Sequence, residues 1–190
     1  MASIVPKLLT VDEFLAIQWD SSDTKAELDN GVIRIIRMMA GGTADHSRVQ
    51  GNIFASLFEK LRGTNCRPHG PDMAVLVDEY SVRYPDASVF CGRNRPDDGK
   101  RKAFDDPKLV VEVLSPGTRD HDFDIKLAEY REIASLEAIL YVDPDPNTET
   151  IQLFTRTKGE EWHDAKIPTN NDVSLPSLLI SLTWAEIFAP

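Results

Sequence analysis

The sequence predicts an α/β (α+β) fold in which a mixed β-sheet is flanked by α-helices, and three features carry that prediction. KLVVEVLSP is an almost continuously apolar run of strand length, as a central strand covered on both faces requires. A long helical pattern precedes it and a second follows it. Short extended runs fill the intervals, so the order is helix, hairpin, helix, strands, helix, strands, which suggests helices packed on a mixed sheet. At 190 residues the chain fits a single domain, 1–190, built around one core.

From the N-terminus, Thr10 followed by Glu13 is a capping-box pattern, and Phe14, Leu15 and Ile17 give an apolar side to a short helix near 11–18. KAELDNGVIRII reads as a strand pair turning at Asn30-Gly31, residues that accept the positive φ angles of a tight hairpin. In GGTADHSRVQGNIFASLFEKLRG, Val49, Ile53, Leu57 and Leu61 recur every fourth residue, with Phe54 and Phe58 beside them, which is helical spacing. RPHGPDMAVLVD and SVRYPDASVF read as two short extended runs, and KLVVEVLSP as the third. Helical periodicity returns from Asp122 to Ile133 through Phe123, Ile125, Leu127 and Tyr130. AILYVDPD and TIQLFTRT resume strand character around a turn-rich stretch from Pro144 to Asn147. The tail DVSLPSLLISLTWAEIFAP ends in a short helix.

Composition bounds the function. A hydrophobic fraction of 42% with no long apolar run argues against a membrane span, which needs roughly 18 apolar residues. MASIVPKLLTVDEF lacks the features of a secretory signal, so a soluble, cytoplasmic protein without a membrane partner is expected. Cys66 and Cys91 are too few for a disulfide framework and lack metal-knuckle spacing, and both are expected as buried thiols. The net charge of -10 weighs against tight, non-specific nucleic-acid binding, because phosphate affinity comes from Lys and Arg. It does not exclude chemistry on phosphates, since a metal site concentrates carboxylates. One basic island, Arg93, Arg95, Lys100, Arg101 and Lys102, follows the YPD segment; it reads either as a phosphate rest or as a solvated loop diluted by Asp97 and Asp98.

The chemistry-bearing residues are Asp86, Glu112, Lys126 and Tyr130. Glu112 sits among Leu109, Val110, Val111, Val113 and Leu114, so the strand buries a carboxylate that needs a cation beside it, either a divalent metal or a Lys or Arg. Asp86 follows Pro85, whose missing N–H favours an edge, a bulge or a strand end, positions from which a side chain can be aimed into a cleft. Two acids on neighbouring strands would need a positive ion between them, and Mg²⁺ or Mn²⁺ suits an oxygen-only site. Lys126 lies four residues from both Asp122 and Tyr130, so the three share one helical stripe. That stripe reads as a surface ion pair, or as a face toward the strand ends where an ammonium can orient water or offset phosphate charge.

In order, ELDNG, the early-helix His46, YPD, EVLSP and D-x-x-x-K-x-x-x-Y resemble the Uma-type restriction-endonuclease family of the PD-(D/E)XK, or restriction-endonuclease-like, nuclease superfamily. The similarity runs from about Glu27 to Asp143, with the LP-containing tail also similar. It implies a metal-dependent endonuclease hydrolysing DNA phosphodiester bonds, with Asp86 and Glu112 holding Mg²⁺ or Mn²⁺, Glu27 the further acid near the metal, and Lys126 the catalytic lysine. Tyr130 would share the Lys126 stripe. From the residues themselves, His46, on the side of Val49 and Ile53, reads either as touching substrate or a metal ligand or as a hydrogen-bonded structural histidine, and Asp122 either as positioning Lys126 or as a helix-start carboxylate. DNA is the implied partner, and a homodimer is expected of a compact nuclease that acts on both strands. One residue departs from the superfamily pattern: Leu114 stands two places after Glu112, where a lysine is usual, and the lysine of the related family is displaced to the following helix. Two other readings stay open, a nuclease-fold domain that binds nucleic acid or protein without catalysis, and a hydrolase of small phosphate compounds.

Overall fold

The computed structural model describes residues 7–19, 24–37, 43–92, 98–114, 121–145, 150–157 and 159–190. Helix α1 (Val11–Leu15) starts with the expected capping box: Thr10 Oγ1 accepts from the Glu13 N–H and the Glu13 carboxylate from the Thr10 N–H, at 3.3 and 3.0 Å. Strands β1 (Thr24–Asp29) and β2 (Val32–Arg37) form the expected hairpin, with φ of 49° at Asn30 and 79° at Gly31. Gly31 is doubly constrained, because a β-carbon there would also lie 2.6 Å from that of Leu8. Helix α2 (Ala44–Lys60) is N-capped by Thr43 and buries Val49, Ile53 and Leu57, the residues whose spacing predicts it.

The region read as two extended runs holds four short strands: β3 (Cys66–His69), β4 (Ala74–Leu76), β5 (Val82–Arg83) and β6 (Ala87–Cys91). After β7 (Ala103–Phe104) come β8 (Pro107–Val113), helix α3 (His121–Glu132), β9 (Ala138–Asp143) and β10 (Thr150–Thr155). Strands β11 (His163–Ile167), β12 (Val173–Leu175) and β13 (Ile180–Leu182) and helix α4 (Trp184–Ile187) complete the order.

These strands form a six-stranded sheet, β11-β10-β9-β8-β6-β3, a five-stranded sheet, β2-β1-β5-β4-β7, and the β12-β13 pair. Both larger sheets are mixed, with β8-β9 and β4-β7 the parallel pairs. Strand β8 is central and alternates as a strand must: Leu109, Val111 and Val113 join the cluster containing α2 and α4, while Val110 joins the opposite one with Tyr130, Ile139 and Tyr141. Val75 and Phe104 of the five-stranded sheet pack into that second cluster. Glu112 shares the face of Val110, beneath α3. No helix among the described residues is long and apolar enough to cross a membrane.

The cysteine expectation is corrected. Cys66 and Cys91 stand opposite each other in the β3-β6 register and form a disulfide, with an S–S distance of 1.94 Å. Only the pairing of two strands brings them together, and a separation of 25 residues carries no local signal for it.

Candidate active site

Antiparallel pairing of β6 with β8 sets Ala87 against Val111, and the next step of that register brings Asp86 level with Glu112. Asp86 lies just outside the first residue of β6, at a strand end as Pro85 suggests, although β6 itself is an internal strand. Its Oδ2 accepts a 2.7 Å hydrogen bond from the Val113 amide, which locks the side chain onto the Glu112 strand. Helix α2 approaches from the other side: Gln50 Nε2 donates to the Asp86 carbonyl at 3.4 Å, and His46 Nε2 lies 3.6 Å from Asp86 Oδ2. The neighbouring Asp86 carboxylate raises the His46 pKa against the opposing effect of burial.

Glu112 is buried and accepts two hydrogen bonds on Oε1, from the Tyr130 hydroxyl at 2.7 Å and from Lys126 Nζ at 3.1 Å. Helix α3 supplies both donors because residues four apart face the same way. Burial pushes the Glu112 carboxyl up to about 7, with Lys126 pulling it down and Asp86 adding to the rise. Lys126 is depressed by its burial, but Glu112 and Glu27 outweigh that and hold the ammonium above the ordinary lysine range. Burial also raises Tyr130, reinforced by Glu112, so the phenol stays a donor at neutral pH.

Glu27, on β1, reaches the site from the five-stranded sheet. Its Oε1 lies 3.7 Å from Lys126 Nζ and accepts from the Tyr84 amide at 3.1 Å. Arg83, next to Tyr84, is a buried guanidinium that ties this strand to α3. It donates twice to Glu129 at 2.7 and 2.5 Å, once to Asp29 at 3.0 Å and once to the Leu28 carbonyl at 2.9 Å, and it lies 3.9 Å from Glu27. Sequence reasoning missed Arg83, since one arginine in an extended run carries no periodic signal. It also missed Lys25, whose ammonium donates to the Pro71 carbonyl, lies 4.9 Å from the Tyr84 ring centroid and interacts electrostatically with Asp86, Glu27 and Lys126. Burial lowers the Lys25 pKa. Its spacing of two from Glu27 on one strand was the available clue.

Thus Glu27, His46, Asp86, Glu112, Lys126 and Tyr130, distant in sequence, are brought to one place. The side chain of Asp122 and the residues Arg93, Arg95 and Asp97 lie outside the described residues, as do Pro146 and Asn147 of the predicted turn. Of the remaining basic island, Arg101 stacks over Phe104 at 5.4 Å and Lys102 Nζ donates to the Leu15 carbonyl at 3.5 Å.

The donor chemistry suits a hard divalent cation. Asp86 and Glu112 each commit one oxygen to the contacts above, and among the described residues the second oxygen of each has no hydrogen-bond partner. No three His, Cys, Asp or Glu side chains among those residues are grouped as a ready-made metal cage. Mg²⁺ does not require one, because it is commonly held by one or two carboxylates, with water and substrate oxygens completing its shell.

This mixed α+β arrangement, with paired acids at a strand end, is the restriction-endonuclease-like fold of nucleases. It is similar to the crystal structure of "a putative nuclease belonging to DUF820" from Anabaena variabilis ATCC 29413, with a TM-score of 0.73 over 95% of this chain and 98% of that one. Their sequences are 19% identical, so the likeness speaks for the fold. Residues 11–186 match the Uma2 family, described as "Putative restriction endonuclease", and the chain belongs to that family, the one its motifs resemble. Two proteins of Synechocystis sp., both described as uncharacterized, are also similar. One, slr1290, is 29% identical over 96% of this chain and 92% of its own length, and the other, sll1609, is 27% identical over 75% and 79%.

Proposed function

We propose that this chain is a Mg²⁺- or Mn²⁺-dependent endonuclease that hydrolyses DNA phosphodiester bonds. In this reading residues 1–190 form one catalytic domain, located in the cytoplasm and paired as a homodimer that reaches both strands of a duplex. The observation that carries it is Glu112: a buried acid, level with Asp86 across two paired strands and touched by a lysine. Burial drives its carboxyl up to about 7, with Lys126 opposing the rise and Asp86 adding to it.

Asp86 and Glu112 would hold the cation, with Glu27 the third acid at its margin. A divalent ion bound there supplies a water of lowered pKa and offsets charge on the phosphate. Lys126, fixed between Glu112 and Glu27, orients the attacking water and counters the charge that develops on the phosphate oxygens. Tyr130 fixes the Glu112 carboxylate with its hydroxyl proton, and His46 braces Asp86 from α2. DNA as the substrate comes from family membership rather than from the fold.

The test is nicking of supercoiled plasmid by the purified protein in Mn²⁺, Mg²⁺ or chelator. Cleavage should require a metal and disappear in Glu112→Gln, while cleavage that persists in chelator or in that variant removes the assignment. Leu114 in the usual lysine position and the charge of -10 favour a second reading, a domain that binds nucleic acid without cutting it. Retention of duplex DNA with no nicking in either metal would select it. Hydrolysis of a small phosphodiester without DNA binding at low salt would select a hydrolase of small phosphate compounds.

A further inference from the structure

Beside the acids, β1, β2 and α3 enclose a cleft of about 210 Å³, lined by Glu27, Asp29, Arg34, Ile125 and Lys126 with buried Arg83 among them. Arg34 stands directly opposite Glu27 in the β1-β2 register, so the two rise on one face of the hairpin. The acids in this cleft already have cationic partners. Asp29 is held by Arg83 at 3.0 Å and by Arg34 Nε at 2.5 Å, and Glu27 by Lys126 and Arg83. Burial opposes ionisation of Asp29, but Arg83 and then Arg34 outweigh it and hold its carboxyl low.

Arg34 differs from the other cations of the cleft: its side chain is 56% exposed, and its Nε is anchored 2.5 Å from Asp29 Oδ2. A guanidinium edge anchored from behind is a two-pronged donor suited to a phosphate. The cleft is smaller than the roughly 300–1,000 Å³ of small-molecule pockets, and it shares Lys126 with the catalytic cluster. That combination fits a segment of a polymer crossing it better than a free small ligand.

We propose that Arg34 is the phosphate ligand of a flanking subsite, gripping the DNA phosphate next to the one that lies at Asp86 and Glu112. The inference rests on the nucleic-acid reading of the site, and Asp29 acts through Arg34 as a positioning residue.

Binding of a fluorescein-labelled duplex, followed by anisotropy from low to moderate salt, tests it in the wild type and in Arg34→Gln. The variant should bind about tenfold more weakly near 0.1 M salt. Its plot of log affinity against log salt should be flatter by about 0.9, the value of one lost phosphate contact. Nicking should lose KM with kcat kept within about twofold. Equal affinity and equal salt slope in the two proteins would overturn the subsite while leaving plasmid nicking, and so the endonuclease reading, intact. Arg34-dependent binding without any nicking would do the opposite, sustaining the subsite and removing the endonuclease. Calorimetric uptake of inorganic phosphate that depends on Arg34, with no retention of duplex, would assign the cleft to free phosphate and overturn the proposal.

Discussion

Lys126 Nζ lies 3.1 Å from Glu112 Oε1, so the cation demanded by a carboxylate buried in the central strand comes from the helix that follows that strand. Leu114, on the same face two residues beyond Glu112, packs into the neighbouring apolar cluster instead. The usual order of acid and lysine along one strand is thus replaced by a contact between strand and helix, and Tyr130, one turn further along α3, shares the same carboxylate oxygen.

Replacing Lys126 with Met should therefore lower metal-dependent nicking by about 10²–10³, the usual effect of removing one electrostatic contact to a developing charge. It also leaves Glu112 buried without its ion partner, which destabilises the fold. The double variant Lys126→Met, Glu112→Gln should regain stability in urea without regaining activity. A Lys126→Met protein that nicks at the wild-type rate would show that the lysine serves only the fold.

Arg83 is the second place where the fold depends on a charge. Its guanidinium is 3% exposed and joins Asp29 of β1 to Glu129 of α3, the helix that also carries Lys126 and Tyr130. Arg83→Met should cost about 3 kcal/mol in urea unfolding, because the half-buried Glu129 loses both hydrogen bonds from the guanidinium and Asp29 keeps only Arg34. Adding Glu129→Leu should restore part of that loss. If the single variant unfolds at the wild-type urea midpoint, the arginine does not hold these elements together.

Much of this was legible beforehand, and the pattern of what was not has a physical reason. Long elements with many repeats of their period announced themselves: α2 through Val49, Ile53 and Leu57, α3 through its stripe, and β8 through its unbroken apolar run. The Asn30-Gly31 turn was legible because few residues tolerate its backbone angles. Strands of two to four residues such as β4, β5 and β7 have no period to read, so the stretch from Cys66 to Cys91 could not be divided between two sheets in advance. The disulfide and the role of Arg83 are consequences of that division. The acids of the site could be named from their type and order, but the Asp86 contact with the Val113 amide exists only once β6 pairs with β8, and the Glu27 contact with Lys126 only once the five-stranded sheet meets α3.

The Cys66–Cys91 bond closes a loop with a sequence separation of 25 residues and fastens edge strand β3 to β6, the strand that presents Asp86. Loop-closure entropy gives such a bond about 2–4 kcal/mol. Urea midpoints measured with and without reductant should differ accordingly in the wild type and coincide in Cys66→Ser. If reductant does not move the wild-type midpoint, the bond contributes nothing to stability.

His69 should make stability depend on pH in a direction opposite to Glu112. Burial lowers the His69 pKa, with its ring packed 5.6 Å from Phe90 and 5.8 Å from Phe104. Below pH 6.5 the unfolded chain therefore takes up a proton that the folded protein resists, and stability is lost as pH falls from 6.5 toward the folded value. Above 6.5 both states are neutral at this residue and its contribution is level. Glu112, raised to about 7 from 4.5, favours the folded state at low pH, and that contribution declines as pH rises between those values. Comparing wild type with His69→Leu at each pH isolates the histidine, because Glu112 is common to both. The wild type should lose stability relative to the variant as pH drops below 6.5, with a constant gap above it. A gap that stays flat from pH 5 to 8 would mean that the imidazole is solvated in the folded protein, and that the Phe90–Phe104 packing does not exclude its charged form.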